Sequence, residues 1–234
     1  MKAIAVIPAR SGSKGLKDKN IADVCGKPLL AYTIQAALES GCFDTVMVST
    51  DSQKYADVAT AFGAEVPFLR SAATSGDTAG TWDAVREVLA GYRNMGKTFD
   101  YVAVLQPTSP LRDQADIRGA WQKLQENGVT NVVSVTEAAH PVQWCFKLDK
   151  SLSLAEFADS PYNAMRRQDL QKHYQENGAI YFVDAQKIMD KTYDLYKDGC
   201  FAYIMPKKRS IDIDLEIDLI IATAVIQHWS KGEN

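Results

Sequence analysis

Cysteine is scarce. Cys25, Cys42, Cys145 and Cys200 are the only four in 234 residues. They form no CxxC pair and no zinc spacing, so they read as reduced thiols in a cytoplasmic protein. No segment approaches the ~20 apolar residues needed to cross a bilayer. The apolar stretch at the N-terminus is too short for a signal peptide and lacks a cleavage site. A membrane partner is therefore not expected. There is also no basic surplus: 26 Lys and Arg face 29 Asp and Glu, for a net charge of −3. That balance argues against a general nucleic-acid binder, and any anionic ligand must be held by local charge. The Walker pattern GxxxxGK[ST] is missing, which excludes a P-loop NTPase. Internal repeats and low-complexity tracts are missing as well.

What remains is ordinary globular composition, 46% apolar and 24% charged, enough for one domain over residues 1–234. Strand-like and helix-like stretches alternate. Strands are predicted at 3–7, 45–50, 65–70, 101–106 and 131–135. Helices are predicted from Pro28 to Gly41, at 52–63, at 81–96 with Val85, Val88, Leu89 and Tyr92 on one face, and at 113–128. This rhythm implies an α/β fold with a mainly parallel sheet covered on both faces. It breaks at 136–176, which reads as an insertion that leaves the sheet. Strands at 178–183, 201–205 and 210–214 and a helix at about 216–229 complete the chain.

Ligands of such sheets sit beyond the carboxyl ends of the strands, and the segments there are polar. The first, "IPARSGSKGLKDKN" (7–20), sets four bases against one acid. Gly12 and Gly15 let backbone amides turn toward an anion, and Arg10, Lys14 and Lys19 can neutralise a triphosphate. In "IDIDLEID" (211–218) a strand would put Asp212 and Asp214 on one face, roughly 7 Å apart. With no lysine nearby, that pair suits Mg²⁺, which takes one or two carboxylates plus substrate phosphates. Glu216 and Asp218 read as acids at the positive end of a helix. In "LQPTSPLR" (105–112) two prolines fix a turn that either only precedes a helix or points Gln106 into a site. In "LRSAATSGDTAGT" (69–81), Arg70 ends a strand, Asp77 reads as a turn or cap residue, and Thr81 either caps a helix or touches a ligand.

Taken in order, "IPARSGSKGLKDKN", "VSTDS", "QPTSPLR", "NGAIYF" and "SIDIDLEID" resemble the acylneuraminate cytidylyltransferases, the CMP-sialic acid synthetases, whose relatives activate legionaminic and pseudaminic acids. The resemblance runs from residue 3 to about 225. It implies a Rossmann-like, glycosyltransferase-A-like nucleotidyltransferase fold and a homodimer in which 136–176 reaches the partner's site. It also implies CTP and a nonulosonic acid as substrates, with CMP passing to the sugar's anomeric 2-hydroxyl. Arg10, Ser11, Gly12, Lys14, Lys19, Asn20, Arg70 and Thr81 would bind the nucleotide. Gln106, Gln143, Arg166, Arg167, Gln168 and Tyr181 would bind the sugar. Asp212 and Asp214 would hold Mg²⁺, with Mn²⁺ as a substitute, and Lys19, Arg10 and Asp212 would act in catalysis. No histidine falls in these motifs. Sialate-using members often carry a lysine after the His-Pro pair of the insertion. Here "HPVQW" offers Gln143, which points to a legionaminic-type acid alongside sialic acid. No further C-terminal domain is expected after the last helix. Two alternatives stay open: an enzyme for the eight-carbon acid Kdo, and an inactive nucleotide-binding regulator.

Overall fold

A computed structural model describes residues 1–12, 15–76, 78–197 and 199–232, with Glu156 described by its backbone alone. Strand β1 (Ala3–Pro8) runs into the basic loop, which ends in a 3-10 turn at Lys19–Ile21. A small ribbon follows, β2 (Asp23–Val24) with β3 (Lys27–Pro28). Next come α1 (Leu29–Ser40), β4 (Thr45–Ser49), α2 (Gln53–Ala61), the single turn α3 (Ala72–Ser75) and α4 (Thr81–Asn94). Then follow β5 (Tyr101–Val104), α5 (Gln114–Leu124) and β6 (Asn131–Glu137). Residues 138–173 carry only short helical turns, among them α6 (Ala155–Ala158). The chain closes with β7 (Tyr174–Asp184), β8 (Cys200–Ile204) and α7 (Glu216–Ser230).

Six strands form one sheet in the order β4-β1-β5-β7-β6-β8. β1 is parallel to β4 and β5, and β6 is parallel to β8; β7 alone runs against its neighbours. The sheet is thus mixed but mostly parallel. Successive side chains of a strand point to opposite faces, and β1 shows the result. Ala5 and Ile7 join Ala103, Leu105 and Phe182 beneath Leu30 and Ile34 of α1 and Ile117 of α5. Ile4 and Val6 join Val102, Val104 and Val183 beneath α4, whose Val85, Val88, Leu89 and Tyr92 form the predicted apolar stripe. Gly41 ends α1 with φ +67°, a conformation glycine adopts without steric cost. No helix among the described residues is long and apolar enough to cross a membrane.

Three expectations are corrected. Residues 65–70 are not a strand: Glu65 bridges Met47 and the Arg70 amide reaches the Thr50 carbonyl at 2.7 Å. Pro67 between them has no amide to donate. The insertion does not leave the sheet at 136, because Thr136 and Glu137 still pair with Gln175 and Tyr174. Residues 210–214 are not a strand either. The alternation of Ile211 and Ile213 with aspartates reflects packing of the two isoleucines with Val24, Leu29 and Ala222. The bond from the Ile213 amide to the Thr108 carbonyl, at 2.9 Å, hooks the segment to the turn after β5.

Candidate active site

A cleft of about 270 Å³ lies beyond the carboxyl ends of β1 and β5, lined by Arg10, Lys19, Asn20, Arg70, Thr81 and Gln106 among others. They come from three segments, 7–20, 69–81 and 105–112, and the sheet brings them together. Asn20 is buried and donates to the Arg10 carbonyl at 3.2 Å; its Oδ1 has no partner among the described residues. Arg10 donates to the Ser75 carbonyl at 3.5 Å. Burial holds the Arg70 guanidinium below its usual range, against the pull of Asp51 and Glu87, and its Nε is buried without a partner among the described residues. Gly80, not Thr81, is the cap residue of α4, and Thr81 opens the helix facing the cleft. Gly178 stands beside the Gln106 side chain with φ +71°, a conformation glycine adopts without steric cost.

Ser11 has a different placement. Its amide and hydroxyl are held by Asp51 at 2.8 and 3.0 Å, so it ties the first loop to the end of β4. Gly12 has open space around it. Lys14 and Asp77 lie outside the described residues.

At the edge of the cleft the first loop meets residues 212–214. Lys19 Nζ donates to the Ile213 carbonyl at 2.6 Å and pairs with Asp214 Oδ1 at 3.3 Å. A lysine therefore does stand beside the aspartates, contrary to the sequence reading, because the chain folds 194 residues back onto its start. Asp218 accepts from the amides of Asp214 and Leu215; it serves the start of α7, as expected. Asp212 is half-buried, and its carboxyl is raised above the ordinary range. Burial is the main cause; a Thr108 hydrogen bond opposes it, Asp214 adds to it, and Lys19 opposes it. Its Oδ1 is buried without a partner among the described residues. No group of three or more His, Cys, Asp or Glu that could hold a metal exists among the described residues. Asp212 and Asp214 can thus supply two carboxylates, and a bound cation would need its other ligands from phosphates and water, which is how Mg²⁺ is held.

Gly15 is the contact between the two segments. A Cβ there would come within 2.8 Å of the Asp214 carbonyl oxygen. Gly15→Ala is expected to wedge them apart at a cost of about 1–3 kcal/mol, a fall in Tm of roughly 2–10 °C by scanning calorimetry. An unchanged Tm would show that the contact gives way freely.

Tyr181 does not line the cleft. Its ring meets Trp82 edge-on at 6.0 Å and its hydroxyl donates to Glu176 at 3.0 Å. Burial first, and then Glu176, push the phenol pKa up. The remaining predicted sugar contacts do not line the cleft of their own chain. Gln143 Nε2 lies 3.5 Å from His173 Nδ1. Arg166 is exposed and paired with Asp169 at 2.8 Å. Arg167 lines a hollow of about 30 Å³ with Glu137, His140, Lys172 and His173. Arg167 and Gln168 belong to a 3-10 turn, Arg167–Asp169.

Three residues of the site's framework were not singled out from sequence. Asp51 anchors the first loop through Ser11. Thr108 supports Asp212. Arg112 is almost fully buried and donates to the carbonyls of Gln106 and Ala179, at 3.3 and 3.2 Å, joining the turn after β5 to β7. The hydrophilic character of Arg112 hid its burial; only the prolines around it marked the turn.

The arrangement is a strand-end cleft with clustered cations and two acids at one rim. The sequence profile of the cytidylyltransferases matches residues 4–226. The chain belongs to the cytidylyltransferase family. Three curated relatives of this cytidylyltransferase are informative. A pseudaminic acid cytidylyltransferase of Campylobacter jejuni is 34% identical, covering 95% of each chain. The CMP-N,N'-diacetyllegionaminic acid synthase of Legionella pneumophila is 37% identical, covering 97% of each. An N-acylneuraminate cytidylyltransferase of Escherichia coli is 39% identical, covering 98% of this chain and 53% of that protein. Among solved structures, a CMP-2-keto-3-deoxy-manno-octonic acid synthetase complexed with CTP superposes with a TM-score of 0.73. It covers 98% of this chain and 100% of its own at 18% identity, a likeness of fold. The nucleotidyltransferase fold and activity class expected from the motifs therefore stand.

Proposed function

We propose that the chain transfers CMP from CTP to the anomeric 2-hydroxyl of a nine-carbon ulosonic acid, of sialic or legionaminic type, and releases pyrophosphate. The observation that carries this reading is the convergence of Arg10, Lys19, Asn20, Arg70, Thr81 and Gln106 on one cleft with Asp212 and Asp214 at its rim. The names of the three relatives support the sugar class. In this reading the triphosphate lies along the first loop against Arg10 and Lys19, and the start of α4 adds partial positive charge. Asn20 and Arg70 keep unpaired polar atoms for the cytidine, and Gln106 faces the sugar. The sugar 2-oxygen bonds to the α-phosphorus while the bond to the bridging oxygen breaks, and pyrophosphate leaves with that electron pair. Positioning and charge neutralisation supply most of the catalysis in such transfers. Asp212 and Asp214 would hold Mg²⁺, or Mn²⁺ in its place, which when bound polarises the phosphates and favours ionisation of the attacking hydroxyl. The nucleotide is tested by pyrophosphate release with a nonulosonic acid and CTP, UTP, ATP or GTP in turn. Release with CTP alone is expected; equal rates with another nucleotide would overturn the assignment.

The proposed assembly is a homodimer through residues 136–176, acting in the cytoplasm. Phe146, Leu148, Leu152 and Leu154 are all more than 40% exposed in the single chain, and apolar residues grouped this way mark an interface. A second copy would also explain why Gln143, Arg166, Arg167 and Gln168 stand away from their own cleft. Sedimentation at micromolar concentration should show a dimer; a fully active monomer would contradict it. Within the dimer, Arg167 is proposed to grip the sugar carboxylate, a bidentate contact lysine does not reproduce. Arg167→Lys should raise KM for the sugar about tenfold, and Arg166→Lys should leave it near wild type. Equal small effects would remove the clamp. Gln143 in place of the lysine lowers the pocket's charge by one, which suits a sugar with an extra neutral N-acyl or deoxy group.

A further inference from the structure

Lys19 reaches the cleft from a backbone held on both sides. Asn20, after it, is tied to the Arg10 carbonyl. Asp18, before it, is one of three non-glycine residues with positive φ among the described residues, at +55° with ψ +26°. Glycine adopts that left-handed conformation freely, and aspartate and asparagine are the side-chain-bearing residues that tolerate it best. The use of a carboxylate here has a visible reason. Asp18 Oδ1 accepts from the Tyr55 hydroxyl at 3.0 Å. Tyr55 itself is 1% exposed and belongs to the main core with Ile7, Ala9, Val48 and Ala59. The other partner of Asp18, Lys54 at 3.6 Å, is mostly exposed, and exposed pairs of this kind hold little. Burial, with Asp18 adding to it, raises the Tyr55 phenol above its usual range, so the hydroxyl remains a donor at neutral pH. From Asp18 the chain makes the tight turn that carries Lys19, with the Ile21 amide on the Asp18 carbonyl at 3.0 Å.

We infer that Tyr55 and Asp18 are positioning residues: the core-anchored Tyr55 hydroxyl fixes Asp18 and so sets the backbone from which Lys19 extends to the reacting phosphates. This rests on the proposed role of Lys19 at the triphosphate. Neither residue touches the nucleotide in this reading; both act through Lys19.

The test is a double-mutant cycle on the full-length protein. It measures kcat and KM for CTP, and Tm, in Tyr55→Phe, Asp18→Asn, Asp18→Ala, Lys19→Ala and the Tyr55→Phe/Lys19→Ala double variant. Tyr55→Phe keeps the ring and loses the hydroxyl; a fall of about tenfold in kcat/KM is expected, the size of one hydrogen bond to a charged group. Asp18→Asn keeps both the acceptor and the tolerance for positive φ and should stay within a few-fold of wild type. Asp18→Ala loses both and should fall at least as far as Tyr55→Phe. On the Lys19→Ala background Tyr55→Phe should add nothing, because residues acting as one unit are not additive. A general structural role would instead give the same loss on both backgrounds, and that result overturns the inference. So does a silent Tyr55→Phe beside a severe Lys19→Ala. A silent Lys19→Ala would remove the proposed role of Lys19 itself, and the inference with it, and is told apart by that single variant. If Tyr55→Phe does not fold, the contrast between Asp18→Asn and Asp18→Ala carries the same test.

Discussion

Lys19→Ala is expected to lower kcat at saturating CTP by about 10²–10³, the usual loss when a group that stabilises transition-state charge is removed. The protein should meanwhile stay folded. The Lys19 ammonium pairs with Asp214, whose side chain is 75% exposed, and such a pair contributes about 0–1 kcal/mol. The bond to the Ile213 carbonyl at 2.6 Å adds a stitch between the first loop and the 212–214 segment, of the order of 1.5–3 kcal/mol. A purely structural lysine would therefore show its loss in Tm and little in kcat. The account predicts a fall in turnover far beyond what a Tm loss of several degrees explains. Wild-type turnover in Lys19→Ala, measured with the Tm of the same preparation, would end the assignment.

Asp212→Asn should lower activity by about 10², since a carboxylate that helps hold a catalytic cation supports several kcal/mol of charge stabilisation. Raised Mg²⁺ should restore part of it if weakened affinity is the defect. Stability should move the other way. Because the Asp212 carboxyl is raised in the folded chain, chiefly by burial, the folded state holds its proton more tightly than the unfolded state does. Its favourable contribution is complete below the ordinary carboxylate range and is lost as pH rises through the folded value. At neutral pH, metal-free protein therefore carries a half-buried charge that the amide removes. Asp212→Asn without metal should match or exceed wild type in Tm at pH 7, and its stability should fall less as pH rises from the acid side. Unchanged activity and Mg²⁺ dependence in both Asp212→Asn and Asp214→Asn would remove the metal assignment. A lower Tm at pH 7 would contradict the account of burial.

The same two acids show how far the sequence could be read. The βα rhythm and the stripe of α4 were legible because buried faces write their period into the chain. The cleft was legible in part, since Arg10 and Gln106 sit just past apolar runs, where strand ends would be. The alternating "IDID" misled for a physical reason. Ile213 is fully buried with Val24, Leu29 and Ala222, in the smaller cluster that α7 packs on, so the period of two records burial in a loop rather than a sheet. The reversed direction of β7 left no local mark. It follows from a long-range return in which Glu137 meets Tyr174 across the whole insertion. The approach of Lys19 to Asp214 likewise depends on Gly15 admitting the Asp214 carbonyl, and nothing near either residue announces it.

The central claim is CMP transfer to a nine-carbon ulosonic acid. The measurement that tests it most directly incubates the protein with CTP, Mg²⁺ and a panel of ulosonic acids, and identifies the products by mass. The account predicts CMP-ulosonate and pyrophosphate in equimolar amounts with sialic or legionaminic-type acids, and little product with the eight-carbon acid Kdo. Binding of CTP with no CMP-sugar formed from any nine-carbon acid, or faster reaction with Kdo, would contradict it.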